Sequence, residues 1–516
     1  EEFLAYKAFT TPSEYLYLSY PLANDEGKSI LPSTYIKRMR DLYPEAKTLY
    51  LMSDPKDLPE ENQVDYAVHY KTTLSYLTGQ MQLKKRNYPI NDFWWDVYNE
   101  YMDNENWKEP AKKVFSSLIY QNKAKDLSEQ TSTELYGENI SASVSRMELF
   151  HSCPFSHFAS HGLKLRERQV YRLEAPAIGD LFHAALKYIA ETVIHQDLLW
   201  SDLTRNQCEL LAREAVDMLA PKLQNEILLS TNRHHYIKRK LEQIISRASI
   251  ILSEHAKHSG FSPIDLELEF GPKGKLPSIT FPLKNGSKMN LIGRIDRVDK
   301  AVIGEEVFLR VIDYKSSAHD LNLNEVYYGL SLQMLTYLDL IMENSTILVD
   351  KKASPAGVLY FHVHNPMITS KKILTLDEIE EELLKKFKMN GLMLGEERIV
   401  HLMDETLEKG NSPIVPAGLK TDGTLTKASK VATKEDFIYM QRFVRHKYKE
   451  SGDQIISGSV GIEPYQLKDK MPCTFCSFKS VCQFDESLES NQFRQLATYS
   501  KEEALELIRK EANKDE

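Results

Sequence analysis

Cysteine, long apolar runs and excess positive charge are all scarce in this sequence. Its 516 residues include five cysteines, and a sparse, odd number argues against the disulfide framework of a secreted protein. No stretch reaches the roughly 18 consecutive apolar residues of a membrane-spanning helix. Lys and Arg number 65 against 74 Asp and Glu, for a net charge of −9. This balance excludes a globally basic nucleic-acid coat protein but leaves room for a local basic groove.

The rest of the composition is that of a globular protein, with 42% hydrophobic and 27% charged residues. The chain begins Glu1-Glu2-Phe3, without an initiator Met and without the basic and apolar segments of a signal peptide. We therefore expect either processing or an origin within a longer protein. A reducing cytoplasm without membrane contact is the predicted location.

The distribution of polar and apolar residues along the sequence predicts three parts. Polar, linker-like sequence from Ala124 to Gly137 predicts a boundary that separates residues 1–140 from residues 141–490, and a C-terminal helix is expected in 491–516. Residues 1–140 mix helical segments with a strand-like run at Tyr15–Tyr20. Helical periodicity then gives way to alternating segments, which predict strands at 266–270, 288–298, 307–314 and 357–363 and a long helix at 324–342. This order predicts an α/β core with a helical elaboration.

A helix start is predicted shortly before the first of four unusually placed cysteines. Ser145 has the position of an N-cap, and Glu148 follows three residues later. This spacing is that of a capping box, in which both side chains bind N–H groups at the start of their own helix.

Two carboxylates and a lysine end neighbouring predicted strands. Asp296 ends one run, whereas Asp313 and Lys315 end the next and share a face because they lie two residues apart. A hairpin turning near Gly304 would bring the two acids together. Such oxygen ligands suit Mg²⁺, and an adjacent lysine can orient water or stabilise charge on a phosphate. These are the parts of metal-assisted phosphodiester hydrolysis, although an isolated Asp-x-Lys is more often a solvated hairpin.

Further polar pairs surround this set in a characteristic order. Gly179-x-x-x-His183 precedes it, and Gln333-x-x-x-Tyr337 follows it on a predicted helix. Together with Gly-Arg-Ile-Asp and Asp-Tyr-Lys, this order resembles the RecB-like branch of the PD-(D/E)xK nuclease superfamily, and within that branch the AddB family of bacterial helicase–nuclease subunits. The resemblance covers about residues 140–490. It implies a restriction-endonuclease-like nuclease core, with residues 1–140 as the C-terminal part of a helicase-like module.

The resemblance also implies a role for each residue of the motifs. Asp296 and Asp313 would bind Mg²⁺, with His183 as a further ligand or as a helper on the phosphate side, and Lys315 would position the attacking water. Gln333 and Tyr337 would contact DNA or hold the active-site strands. The family uses one more acid from the preceding strand, for which Glu267 and Glu269 are both candidates and Glu267 is preferred. Contacts with DNA phosphates are expected from Arg294 and Arg297, which flank Asp296.

Three closely spaced cysteines near the end of the chain suggest a metal site. Cys473, Cys476 and Cys482 form a C-x2-C-x5-C pattern, and Cys153 is a candidate fourth ligand. By spacing alone, zinc and an iron–sulfur cluster are both open. The AddB resemblance implies a [4Fe–4S] cluster at these four positions, acting as a structural staple around the nuclease motifs.

The resemblance finally implies a function and a rival to it. The expected function is a Mg²⁺-dependent exonuclease that degrades the unwound, 5′-ended single strand during double-strand-break repair by homologous recombination. It would act on DNA in a heterodimer with an ATP-dependent, AddA-like helicase–nuclease subunit. The rival is a non-catalytic scaffold of the same fold, which guides DNA or recognises a recombination hotspot sequence.

Overall fold

The computed structural model describes residues 2–24, 28–52, 54–168 and 170–514. It divides into two compact units, Glu1–Tyr120 and Gln121–Glu516. The boundary therefore lies about twenty residues before the predicted one, because the linker-like segment packs on the second unit. There, Leu127 N–H donates to the Gly458 carbonyl at 2.9 Å, and Asn139–Ala142 pairs in parallel with Lys288–Leu291.

The first unit is helical, with a core built on Trp94, Tyr101 and Leu77. The predicted strand at Tyr15–Tyr20 is wrong, since this segment has no strand pairing and exposes both Tyr15 and Tyr17. The α-helices of this unit are α1 (Glu2–Thr10), α2 (Thr34–Leu42), α3 (Glu60–Gln63), α4 (Tyr70–Lys85), α5 (Phe93–Asp103) and α6 (Lys108–Ser116).

The second unit is mixed α/β. Its helices are α7 (Glu129–Tyr136), α8 (Val144–Ser152), α9 (Pro154–His157), α10 (Ala175–His195), α11 (Arg205–Leu219), α12 (Asn232–Lys257), α13 (Leu323–Tyr327), α14 (Gln333–Glu343), α15 (Ser345–Val349), α16 (Leu376–Lys386), α17 (Glu397–Met403), α18 (Lys434–Ile456), α19 (Lys479–Cys482) and α20 (Lys501–Ala512). Its strands are β1 (Asn139–Ala142), β2 (Ser262–Phe270), β3 (Ile279–Pro282), β4 (Lys288–Leu291), β5 (Gly293–Ile303), β6 (Glu306–Lys315), β7 (Ala353–His362), β8 (Asn390–Leu394), β9 (Gly410–Asn411), β10 (Gly418–Leu419), β11 (Val431–Ala432), β12 (Tyr465–Gln466) and β13 (Arg494–Gln495).

A six-stranded sheet of order β11-β8-β7-β6-β5-β2 forms the centre of this unit. Strands β2, β5 and β6 form an antiparallel meander, and β7 then joins β6 in parallel. Because helices cover the sheet, β6 is buried from Val307 to Tyr314, as its nearly continuous apolar sequence requires. The C-terminal helix α20 packs on α18 and α13 and is therefore part of this unit.

Two predicted elements are interrupted in the structure. The strand expected at 288–298 is two strands, β4 and β5, which belong to different sheets. The long helix expected at 324–342 is also two, α13 and α14, because Gly329 between them adopts a left-handed φ of +76°. The break matters for the site, since it makes Gln333 the first residue of a new helix.

Among the described residues, no helix combines the length and the apolar character needed to cross a membrane.

Candidate active site

Two carboxylates face each other between β5 and β6. The antiparallel register pairs Arg297 with Ile312, so the next residues along the two strands, Asp296 and Asp313, lie opposite each other. The Tyr314 N–H donates to Asp296 Oδ2 at 2.9 Å and holds that carboxylate against the neighbouring strand. Both acids are buried, with 9% and 1% exposure. The hairpin thus brings the two predicted acids together.

One amide links the lysine, an acid and a tyrosine. Lys315 Nζ lies 2.7 Å from Asp313 Oδ2 and donates to Gln333 Oε1 at 3.1 Å. Gln333 Nε2 donates to Asp313 Oδ1 at 3.2 Å and to the Tyr337 hydroxyl at 3.1 Å. The four side chains, which come from two of the predicted motifs, therefore form one hydrogen-bonded network.

A second group adjoins this network on the other side of Asp296. His183 projects from α10, and its Nδ1 lies 3.2 Å from Asp296 Oδ2. One ligand atom from each of His183, Glu267 and Asp296 lies within 4.8 Å of the others. These three side chains are placed like a set of metal ligands, and Asp313 lies beside the group without belonging to it.

The structure brings Glu267, and not Glu269, to this group. The sequence could not separate them, because residues two apart in a regular strand face the same side. Glu267 adopts a left-handed φ of 52°, which breaks the alternation in β2 and turns its side chain inwards. Such a backbone is uncommon for a residue with a side chain. Glu267 is consequently buried while Glu269 is exposed.

Two acids of the site, Asp313 and Glu267, have raised pKa values. Burial, followed by the charge of Asp296, raises the pKa of Asp313 to about 7, although Lys315 opposes the shift. Burial and Asp296 also raise the pKa of Glu267. Burial lowers the pKa of His183, but its hydrogen bond to Asp296 and the surrounding negative charge outweigh this and leave it raised. The charge of Asp296 contributes to the upward shift of the pKa in all three groups.

The donor set fits a divalent cation. A 2+ ion would relieve the mutual repulsion of the buried carboxylates, and oxygen ligands suit Mg²⁺ or Mn²⁺. His183 would add one nitrogen ligand beside Asp296 and Glu267. These three residues are the ones that would hold such an ion.

Only one of the two arginines predicted to contact DNA is available to it. The Arg294 side chain is 52% exposed beside Glu267, with which it forms an ion pair. Arg297 is buried and donates to Asp299 at 2.6 and 3.1 Å, while its guanidinium lies over the Trp200 ring. The prediction for Arg297 is wrong because successive strand residues point to opposite faces, so Arg297 points away from Asp296.

The four cysteines of the predicted cluster line one cavity of about 330 Å³, although they come from distant parts of the chain. Cys153, which follows α8, lines this cavity together with Cys473, Cys476 and Cys482. Burial raises the pKa of Cys473 and of Cys482 to about 11. Within the described parts of the chain, however, no three thiols lie within 4.8 Å of one another. The iron–sulfur cluster accordingly stays a prediction.

Glu148 is a site-adjacent residue whose contacts were not anticipated. The predicted capping box is wrong, because Ser143 rather than Ser145 caps α8. The Glu148 carboxylate instead accepts from the N–H groups of Leu332 and Gln333 at 2.7 and 3.1 Å. The sequence indicated that Glu148 caps its own helix, whereas in the structure it caps the start of α14.

Comparison with known proteins agrees with this geometry. The family model of the PD-(D/E)XK nuclease superfamily matches residues 141–483, which includes the acids, the lysine and the four cysteines described above. The chain belongs to this nuclease superfamily. A second model, the fifth domain of the ATP-dependent helicase/deoxyribonuclease AddB, matches residues 59–117, within the first unit.

Several curated relatives align with the whole chain. It is 54% identical over 515 residues to the AddB subunit of the ATP-dependent helicase/deoxyribonuclease of Bacillus licheniformis, and 54% identical over 516 residues to that of Bacillus subtilis. The Bacillus cereus protein of the same name is 51% identical over 517 residues. The alignments cover 99–100% of this chain but 44% of each relative. The chain therefore spans less than half of the length of the AddB proteins that it resembles.

Proposed function

We propose that this chain is the nuclease-bearing part of an AddB-type subunit and cleaves DNA phosphodiester bonds with Mg²⁺. The observation that carries the proposal is the hydrogen-bonded network of Lys315, Asp313 and Gln333. It lies beside a group of potential metal ligands that contains Asp296. A non-catalytic scaffold has no need to keep a lysine, its acid partner and a convergent ligand set next to one another.

A divalent cation at such a site supplies Lewis-acid polarisation of the phosphate and a more acidic water. The residues of the chain would do the positioning. Lys315 carries three N–H groups, of which Asp313 and Gln333 engage two. The third is left for an attacking water or a phosphate oxygen. Because Asp313 and Gln333 restrain the ammonium, it can stabilise developing negative charge without reorganising.

The proposed substrate is a single strand of DNA supplied by unwinding. The printed names of the relatives describe an ATP-dependent helicase/deoxyribonuclease, which supports a role beside a motor in an assembly with an AddA-like partner. We further propose that the complex works in the cytoplasm, degrades the 5′-ended strand and serves double-strand-break repair by recombination. Exposed Arg294 is the residue proposed to meet the DNA backbone close to the reacting phosphate.

The nuclease proposal is tested by replacing Asp313 with Ala in the full chain, copurified with any partner protein that it binds. Linear duplex DNA labelled separately on each strand is incubated with ATP and Mg²⁺. We expect cleavage of one strand to fall at least about a hundredfold, while ATP-driven unwinding persists. Asp320, an exposed acid paired with Lys430, is the matched control, and D320A should cleave normally. Undiminished cleavage of both strands by D313A would support the scaffold function instead.

We also propose that Cys153, Cys473, Cys476 and Cys482 hold a [4Fe–4S] cluster. The support is their arrangement around one cavity and the free state of all five thiols. Such a cluster would join the segment before the nuclease motifs to the segment after them, and metal binding would then contribute to folding.

Anaerobic purification tests the cluster. We expect a brown protein with equal amounts of iron and acid-labile sulfide, and we expect C473S to lose both. Cys208, buried on α11 outside the cavity, provides the matched control, so C208S should keep the colour. A colourless protein that contains stoichiometric zinc would overturn the assignment.

A further inference from the structure

The start of α14 is held by a side chain from another helix. The first N–H groups of an α-helix have no partner within the helix. Here those of Leu332 and Gln333 donate to a single oxygen of Glu148, at 2.7 and 3.1 Å. A carboxylate at this end also interacts favourably with the helix dipole. Glu148 therefore fixes both the position and the direction of the first turn of α14.

That first turn carries the amide on which the catalytic network depends. Gln333 is the first residue of α14, and its side chain contacts Lys315, Asp313 and Tyr337 at 3.1–3.2 Å. The first residues of a helix fray unless they are held. Without the Glu148 carboxylate, movement of the Gln333 backbone would carry the amide away from the lysine and the acid together.

The helix that bears Glu148 is itself fixed to its surroundings. His151, three residues later, packs against Gly329, where an added Cβ would lie 2.5 Å from the ring. The His151 Nε2 is 2.7 Å from the Ser451 hydroxyl, and Arg494 donates to the His151 carbonyl. Glu148 thus acts from a rigid support, which is what a group needs if it is to hold another in place.

We propose that Glu148 is a positioning residue of the nuclease, acting through Gln333 to hold Lys315 and Asp313 in their reactive arrangement. This inference rests on the proposed nuclease function. Glu148 touches neither acid, and its two hydrogen bonds are to backbone N–H groups. Its effect should therefore appear in the rate of cleavage rather than in the affinity for DNA.

A double-mutant cycle in the full chain tests the inference by steady-state cleavage of single-stranded DNA. We expect E148A to lower kcat by about tenfold to a hundredfold, the range for a misplaced catalytic group, with KM changed less than about twofold. If Glu148 acts through Gln333, E148A should cause no further loss in a Q333A background. E148Q should keep most of kcat, because its amide oxygen can still accept both N–H groups.

Three comparisons make the result decisive. Glu242 is the matched control, a partly buried glutamate on α12 that pairs with Arg213, and E242A should leave kcat unchanged. E148D keeps the charge but is one methylene too short to reach, so it tests the inference if E148A fails to fold. Independent, multiplying effects of E148A and Q333A, or an unchanged kcat in E148A and E148D, would overturn the inference. If D313A also cleaves normally in this assay, the proposed function itself fails.

Discussion

Asp299 belongs to a buried charge cluster on β5 and β6, where we expect substitution to reduce stability strongly. Its carboxylate is 0% exposed and accepts hydrogen bonds from Arg297 at 2.6 and 3.1 Å and from Arg310 at 3.0 Å. Both arginines are 3% exposed. Burial would raise the pKa of Asp299, but the two arginines outweigh it and leave the pKa lowered. D299A would leave two buried positive charges without a counter-charge.

The expected loss of stability follows from that arrangement. Removing one partner of a buried ion pair costs about 3–5 kcal/mol, and D299A affects two pairs at once. We therefore expect a loss of at least about 4 kcal/mol, which corresponds to roughly a thousandfold increase in the opened population. The charge matters more than the hydrogen bonds, so D299N should recover only part of the loss.

Hydrogen exchange measured by mass spectrometry on peptides from β5 and β6 reports this opening locally. Amides of these strands should exchange about a thousandfold faster in D299A. Glu306 on β6 is the matched control, because its pair with Arg398 is exposed at 52% and 45%. Such surface pairs contribute about 0–1 kcal/mol, so E306A should exchange almost normally. Equal protection in D299A and E306A would refute the reasoning.

Three further predictions concern pH, packing and DNA. Burial lowers the pKa of the His255 ring to about 3, so the stability that the neutral ring contributes is complete above the ordinary pKa of 6.5 and is lost as the pH falls. When urea titrations compare neutral pH with about pH 5, H255L should therefore lose about 2 kcal/mol less stability than the unchanged protein; an identical pH slope would contradict this. Gly329 and Gly286 both have positive φ, but of the two only Gly329 contacts His151. G329A should therefore lower the melting temperature more than G286A. Equal decreases in the melting temperature would disprove the contact. R294A should weaken single-stranded DNA binding and reduce the slope of log K against log salt by about one, and an unchanged slope in fluorescence anisotropy would exclude phosphate contact.

The residues of the candidate site could be proposed from the sequence because their chemistry leaves a local pattern. Asp313 and Lys315 share a strand face, and the antiparallel turn after Asp296 brings the two acids together. Helical spacing likewise placed Gln333 and Tyr337 on one face. These relations depend on the short-range periods of strands and helices, which the order of residues specifies directly.

The sequence did not decide between Glu267 and Glu269, because only the left-handed backbone of Glu267 distinguishes them. The prediction for Arg297 was also wrong. The alternation of strand residues placed Arg297 and Asp299 on one face, but the sequence did not show that this face is buried. The break at Gly329 was hidden by continuous apolar periodicity on both sides. At Gly329, the side chain that lies against the break is His151, which is distant in the sequence.

By itself, the sequence determined the nuclease motifs, their order and the α/β class of the second unit, since each depends on residue type and local spacing. Only the tertiary structure decided that segment 121–140 packs with the second unit, that four distant cysteines line one cavity and that Glu148 caps α14. These features require residues that are far apart in the sequence to meet. Such meetings depend on which buried surfaces fit together, and no local pattern in the chain encodes that fit.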